Sequence, residues 1–357
     1  MNHYGVIMAG GGGTRFWPMS RQKKPKQLLD LSGSGLMVNE AAERLSTVIG
    51  KSNLFIITSE AQYPDMTVAT AGRVFPRNIL AEPAARNTAA CIGYSAMEIL
   101  KKYGDGVMVI TPADHYIEDI ESLADAFKTA ILAAEEQDKL LTIGISPTSP
   151  STAFGYIRYA GSKGRVRPVL GFKEKPDTVT AQSYIDSGDH LWNSGMFIWK
   201  ASLILEKLRE FVPDVYADLE KIGNAMNTPS EQEVLHEVYP NIRRISIDYA
   251  VMEPAASNGD VAVIPCSCGW NDVGSWDMMS VLHKPDENGN VAIGDVTAVD
   301  VSGSVIFSTG RKVAALGLSD IVIVETPDAV MVCPKDRAQD VRKIVDQLAA
   351  EGRNELL

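Results

Sequence analysis

The chain has 357 residues, 45 % of them hydrophobic and 22 % charged, with a formal net charge of −11. That length suits a large domain with a small one, and the composition is that of an ordinary globular protein. The acidic balance excludes a general nucleic-acid or anionic-membrane binder, so an anionic substrate must be met by a local basic patch or a metal ion.

The N-terminal part alternates strand and helix patterns. "YGVIMAG" is a short apolar run ending in glycine, as buried parallel strands do. It opens the chain with no charged leader region or cleavage site, which points to the cytoplasm. "LMVNEAAERLSTVIG" predicts a helix with a glycine stop, "NLFIIT" a strand, "AQYPDMTVATAGRV" a helix and "NILAEP" a strand closed by proline. "NTAACIGYSAMEILKKYG" predicts a helix capped by Asn87 and Gly104. "GVMVITPADH" predicts a strand, "SLADAFKTAILAAEEQ" a helix and "LLTIGIS" a strand. This rhythm predicts a mostly parallel sheet with helices on both faces.

After Ser146 the rhythm breaks. "FGYIRY", "VRPVLGFKEKP" and "LWNSGMFIWKA" predict strands, followed by a helical stretch from about Ser202 to Tyr239. "HKPDENGN", rich in turn formers, predicts a boundary that divides residues 1–283 from 284–357. From Val291 to Cys333 short β-branched runs recur without helices, which suits a short solenoid or a small all-β unit. "PKDRAQDVRKIVDQLAAEG" closes the chain as an amphipathic helix. Cys91, Cys266, Cys268 and Cys333 are scattered, and only the C-x-C pair is close, so they read as reduced, buried residues. No run approaches the ~20 apolar residues of a membrane span.

The segment "MAGGGGTRFWPMSRQKKPKQLL", from Met8 to Leu29, carries four consecutive glycines and then five basic residues without one acid. Glycines after a strand let backbone N–H groups approach phosphates closely. The dinucleotide fingerprint is not met, because its third glycine would fall on Arg15, and no G-K-[ST] follows for a Walker A loop. The segment is therefore a phosphate loop of a third kind: Ala9, Gly10, Gly11, Gly12, Gly13 and Thr14, then Arg15, then Lys26 in "PKQ". Arg15 suits a bidentate grip on β- and γ-phosphates. Lys26, a point charge, suits transition-state stabilisation at an α-phosphate. A solvated face is at least as good a reading for Arg21, Lys23 and Lys24.

This segment resembles the signature of the sugar-phosphate nucleotidyltransferases, and its S-x-x-x-x-PKQ-L form is closest to the mannose-1-phosphate guanylyltransferases. "EPAARNTAA", "TPADH", "FGYI", "FKEKP", "WNSGMF", "SIDYAVME", "WNDVGSW" and "PKDRAQDVRKIV" follow in the family's order, so the resemblance covers nearly the whole chain. It implies a Rossmann-like (GT-A-type) α/β nucleotidyltransferase domain followed by a small left-handed β-helix and a terminal helix. It implies GMP transfer from GTP to mannose 1-phosphate, giving GDP-mannose and pyrophosphate. Such tails commonly join two copies, which implies a homodimer.

Asp114 ends a buried strand, where open α/β sheets place ligands. By resemblance, Asp114 and Asp272 share a Mg²⁺ that bridges nucleotide and sugar phosphate. By the same route Lys175 meets the sugar phosphate, while Glu174, the Gly155 amide and Asn193 meet sugar hydroxyls. Asp248 is placed near the sugar, although a packed strand reads equally well. Guanine presents N1–H and N2–H₂ on one edge, so Glu82 or nearby carbonyls can select it, with Arg86 and Asn87 alongside. His115 has no companion for zinc and reads as structural or substrate-facing. Open alternatives are another sugar 1-phosphate, such as a heptose, or a silent nucleotide-sugar-binding regulator. A glycosyltransferase would want a D-x-D motif that "PADH" does not supply.

Overall fold

The computed structural model describes residues 1–161 and 164–357. The chain opens with β1 (Asn2–Met8), α1 (Met37–Ser46), β2 (Leu54–Ser59), α2 (Tyr63–Ala69), β3 (Ile79–Glu82), α3 (Asn87–Tyr103), β4 (Gly106–Pro112), α4 (Ile120–Glu136) and β5 (Leu140–Ile145). Strands β3, β2, β1 and β4 lie side by side and parallel. Their centres are continuous apolar runs because helices cover both faces.

The second half adds β6 (Tyr156–Tyr159), β7 (Arg167–Lys173), α5 (Thr178–Ser187), β8 (His190–Lys200), α6 (Ala201–Phe211), α7 (Pro213–Ala225), α8 (Glu231–Val238), α9 (Glu253–Ser257), β9 (Val261–Cys266) and α10 (Met279–Leu282). Among the described residues the nine-stranded sheet runs β3-β2-β1-β4-β8-β5-β9-β7-β6. The βαβα rhythm places β5 beside β4, but β8 enters between them, antiparallel to both. At eleven residues β8 is long enough to pair β5 along much of its length, β4 with its C-terminal end and β6 with its N-terminal end.

The cap expected at Asn87 is not formed. Asn87 is already the first helical residue of α3, at φ +68°, and its Oδ1 accepts from the Thr88 N–H next door rather than from the next turn. Gly104 ends the helix at φ +85°.

The tail consists of β10 (Val291–Ile293), β11 (Val296–Val299), β12 (Val305–Ser308), β13 (Val313–Leu316), β14 (Ile321–Thr326) and β15 (Ala329–Pro334). β10, β12 and β14 stack in parallel, as do β11 and β13, which is the coil of a β-helix; β15 closes it as an antiparallel hairpin. The terminal helix begins as a 3₁₀ turn over Lys335–Asp340 and continues as α11 (Val341–Ala350).

This tail shares a core with the signature segment. Phe16, Trp17, Leu29 and Leu31 are buried with Val305, Phe307, Val324 and Val341. The Trp17 indole donates to the Leu356 carbonyl at 2.8 Å, and the Trp276 indole donates to the Trp17 carbonyl at 3.1 Å.

Candidate active site

The site stands at the carboxyl ends of strands that run in the same direction. β1 delivers the glycine loop, β4 delivers Asp114, β3 ends in Glu82, and the loop after β9 carries Asp272. The loop is held from below by amides. Gln27, 3 % exposed, brings Nε2 to 2.6 Å from the Ala9 carbonyl and 3.0 Å from the Gly11 carbonyl. Gln62 and Thr58 complete this buried network. A trans peptide points its C=O and the following N–H in opposite directions. Carbonyls tied down to Gln27 therefore turn the Gly10 and Gly12 N–H groups away from it. Sequence reading missed Gln27 and Gln62; only the adjacency of Gln27 to Lys26 was a signal.

The basic cluster divides. Arg21 stacks on Trp17 and pairs with Asp328 of the tail at 2.9 Å. Lys23 and Lys24 are exposed, whereas Lys26 is only 4 % exposed. Its Nζ donates to the Asp114 carbonyl at 2.8 Å, to Asp114 Oδ2 at 3.0 Å and to the Asp272 carbonyl at 2.7 Å. One ammonium thus ties together two segments 158 positions apart (272 − 114). Arg15 is exposed and lines a cavity of about 590 Å³ together with Asp272 and Gly274.

The two aspartates differ. Burial pushes the Asp114 carboxyl up, but the Lys26 charge more than offsets it and holds the group below its ordinary value. Asp272 is raised, first by burial and then by the negative charge of Asp114, against Lys26 and Arg15. His115 is half-buried, its pKa pushed down by desolvation to about 4, and its Nδ1 accepts from the Trp270 indole at 3.0 Å. It is therefore neutral near pH 7.

The residues assigned to the sugar come together around β8. The Asn193 N–H donates to the Gly155 carbonyl at 2.8 Å, and its Nδ2 donates to Asp248 Oδ1 at 2.9 Å. A Cβ on Gly155 would lie 2.4 Å from Glu174 Oε2, so only glycine leaves that carboxylate in place. Glu174 is paired with Lys175 at 3.0 Å, and Lys175 sits at φ +44° with its side chain 58 % exposed. Burial and the Glu174 charge raise Asp248 to about 6. Gly195, on the same strand, abuts Pro112 and His115, so this cluster neighbours the Asp114 loop.

Glu82 lies beneath the loop, 7 % exposed. The Tyr239 hydroxyl donates to its Oε1, and a Cβ on Gly10 would lie 2.9 Å from its Oε2. Arg86 is half-buried with an Nε that has no acceptor among the described residues, and Asn87 is exposed. Burial raises Glu82 from 4.5 to about 7, with the Tyr239 hydrogen bond pulling the other way. The folded state therefore holds this proton more tightly than the unfolded chain. Its stabilising effect is complete below about pH 4.5 and is lost as pH rises toward 7. Glu82→Gln keeps the shape and removes the ionisation. The variant is expected to melt a few degrees above the parent at about pH 8 and level with it near pH 4.5. Thermal melts at the two pH values check this; equal offsets at both would refute it.

A nucleotidyl transferase family model matches residues 4–288, and a mannoseP isomerase/GMP-like β-helix domain model matches residues 294–348. The xanthan biosynthesis protein XanB of Xanthomonas campestris pv. campestris (strain B100) is 39 % identical over 351 residues, covering 98 % of this chain and 74 % of that protein. The mannose-1-phosphate guanylyltransferase of Escherichia coli (strain K12) is 37 % identical over 360 residues, covering 99 % and 74 %. A crystal structure described as mannose-1-phosphate geranyltransferase from Thermus thermophilus superposes with a TM-score of 0.88 at 33 % identity, over 98 % of this chain and all of that one. By domain content and whole-chain identity, the chain belongs to the nucleotidyl transferase family, among the mannose-1-phosphate guanylyltransferases with their β-helix domain.

Proposed function

We propose that the protein transfers GMP from GTP to mannose 1-phosphate, forming GDP-mannose and pyrophosphate. The observation that carries the reading is Lys26, buried between Asp114 and Asp272 at the edge of the glycine loop. A phosphate oxygen of the sugar phosphate attacks the α-phosphorus of GTP, and the bond from that phosphorus to the oxygen bridging to the β-phosphate breaks. The nucleophile is already an anion, so positioning and charge neutralisation do most of the work. The loop N–H groups and Arg15 receive the polyphosphate, and Lys26 faces the charge that builds at the α-phosphate. Lys175 receives the sugar phosphate; Glu174, Asn193 and the Gly155 amide orient the sugar, with Asp248 fixing Asn193. Glu82, or the carbonyls beside it, reads the guanine edge, with Arg86 and Asn87 next to it.

Asp114 and Asp272 fit a shared Mg²⁺. Asp272 is raised first by burial and then by the charge of Asp114, and among the described residues no third acidic, histidine or cysteine ligand joins them. Mg²⁺ takes one or two carboxylates and completes its shell with water and phosphate oxygens. When bound, it would neutralise phosphate charge on both substrates. We place the enzyme in the cytoplasm as a homodimer; the exposed Leu316, Val330 and Val332 on the β-helix support an interface there.

The test is pyrophosphate release with Mg²⁺, crossing GTP, ATP, UTP and dTTP with mannose 1-phosphate, glucose 1-phosphate and a heptose 1-phosphate, on a preparation whose mass is read by sedimentation. Turnover is expected only with GTP and mannose 1-phosphate, from a two-chain species, and reduced about a thousandfold in Lys26→Ala and at least as far in Asp272→Ala. Turnover with another pair would keep the chemistry and replace the substrate. Nucleotide binding without turnover on any pair would leave a regulator.

A further inference from the structure

Asp272 opens a turn that its own sequence does not favour. The next residue, Val273, is β-branched yet sits at φ +45°, where a branched Cβ is strained. Such a conformation persists only when its surroundings over-determine it. Here the surroundings come from both domains: the Val273 N–H donates to Asn271 Oδ1 at 2.7 Å and Lys26 holds the Asp272 carbonyl, while the tail packs the side chain. Val273 is fully buried in the core that Val305, Val322, Val324 and Val341 share with Phe16 and Trp276. Gln339, on the 3₁₀ turn Lys335–Asp340, donates from Nε2 to Ser275 Oγ at 2.6 Å, and Ser275 is itself fully buried. Gly274 lies between the two: a Cβ there would be 3.2 Å from Asp272 Oδ2 and 3.7 Å from Gln339 Nε2. Gln339 also lines the cavity that holds Arg15 and Asp272. It is an exposed residue with little packing of its own to provide.

We infer that Gln339 is a positioning residue of the catalytic centre: through Ser275 it fixes the Asp272 turn, so that the β-helix domain sets the place of one of the two metal-binding carboxylates. This rests on the reading of Asp272 as a metal ligand. The tail is then part of the active site as well as a candidate dimer surface. Of its side chains that face the catalytic cavity among the described residues, Gln339 is the one with a hydrogen bond to make there.

The test uses the full chain with Gln339→Ala and with Gln339→Met, which keeps the length and loses the donor. Mn²⁺ binding is followed by electron paramagnetic resonance on the protein without nucleotide, and Mg²⁺ half-saturation is followed in turnover. Both constants are expected to weaken about tenfold in each variant, as for other groups that orient metal ligands, with the melting temperature unchanged. Asp272→Asn serves as the reference and is expected to lose Mn²⁺ binding. If Asp272→Asn binds Mn²⁺ normally, the metal reading of the site fails. If Asp272→Asn loses the ion while both Gln339 variants keep parental metal constants, the positioning role is refuted. A lowered melting temperature with unchanged Mn²⁺ affinity would refute it too, leaving Gln339 as a structural contact.

Discussion

Lys26→Ala is expected to reduce turnover about a thousandfold, at the upper end of what removal of one transition-state donor costs. The magnitude follows from what the ammonium touches. It is buried, and it is the shared donor to Asp114 and Asp272. Without it, the Asp114 carboxyl loses the charge that holds it below its ordinary value, and the Asp272 carbonyl loses its donor. The variant therefore removes the charge proposed to face the α-phosphate and loosens both aspartate segments together. The drop should appear in kcat at saturating GTP and Mg²⁺, because the charge is needed most when the α-phosphorus is five-bonded. Circular dichroism and a melting curve establish that the fold is retained. If a folded variant kept a tenth or more of parental kcat, Lys26 would be a structural cation, and the phosphate chemistry would have to move to Arg15.

Much of this site was legible because its parts are local. A glycine run after a strand, an aspartate at a strand end and a lysine after a proline each announce themselves within a few residues. The parallel half of the sheet was legible for the same reason, since each strand is a short apolar run followed by its helix. The resemblance supplied what spacing could not, the pairing of Asp114 with Asp272, whose segments Lys26 joins in the structure. Three features stayed hidden because they depend on distant partners. The insertion of β8 between β4 and β5 is a choice of neighbour, and its apolar pattern is the same in either place. The clamp by Gln27 and Gln62 joins residues 35 apart through side-chain amides that read as ordinary polar residues. The share of the tail in the site depends on Gln339 reaching Ser275, 64 positions away. The Asn87 cap failed for a local reason: asparagine tolerates positive φ, and here that tolerance served the turn into the helix instead of the cap.

The four glycines read as one phosphate loop, yet their surroundings divide them, and the division is testable. Gly13 is needed by the protein. It lies at φ +59°, and a Cβ there would stand 2.3 Å from the Lys26 Cβ and 2.8 Å from the Lys26 N. Gly13→Ala must therefore displace Lys26 itself, and it is expected to lower both the melting temperature and kcat, the latter about a hundredfold. Gly11 is expected to matter to the ligand alone. A Cβ there meets nothing within 4 Å, so Gly11→Ala should leave the melting temperature unchanged. The added methyl would point into space that the polyphosphate must enter if the loop binds it by close backbone approach. For Gly11→Ala the loss should fall on GTP: about a hundredfold in kcat/KM for GTP, with the KM for mannose 1-phosphate little changed. Melting curves and initial rates on the two variants separate the causes. A Gly11→Ala protein with parental kcat/KM for GTP would mean that the phosphates lie elsewhere, and the run of glycines would then be a turn that only Gly13 and Gly10 require.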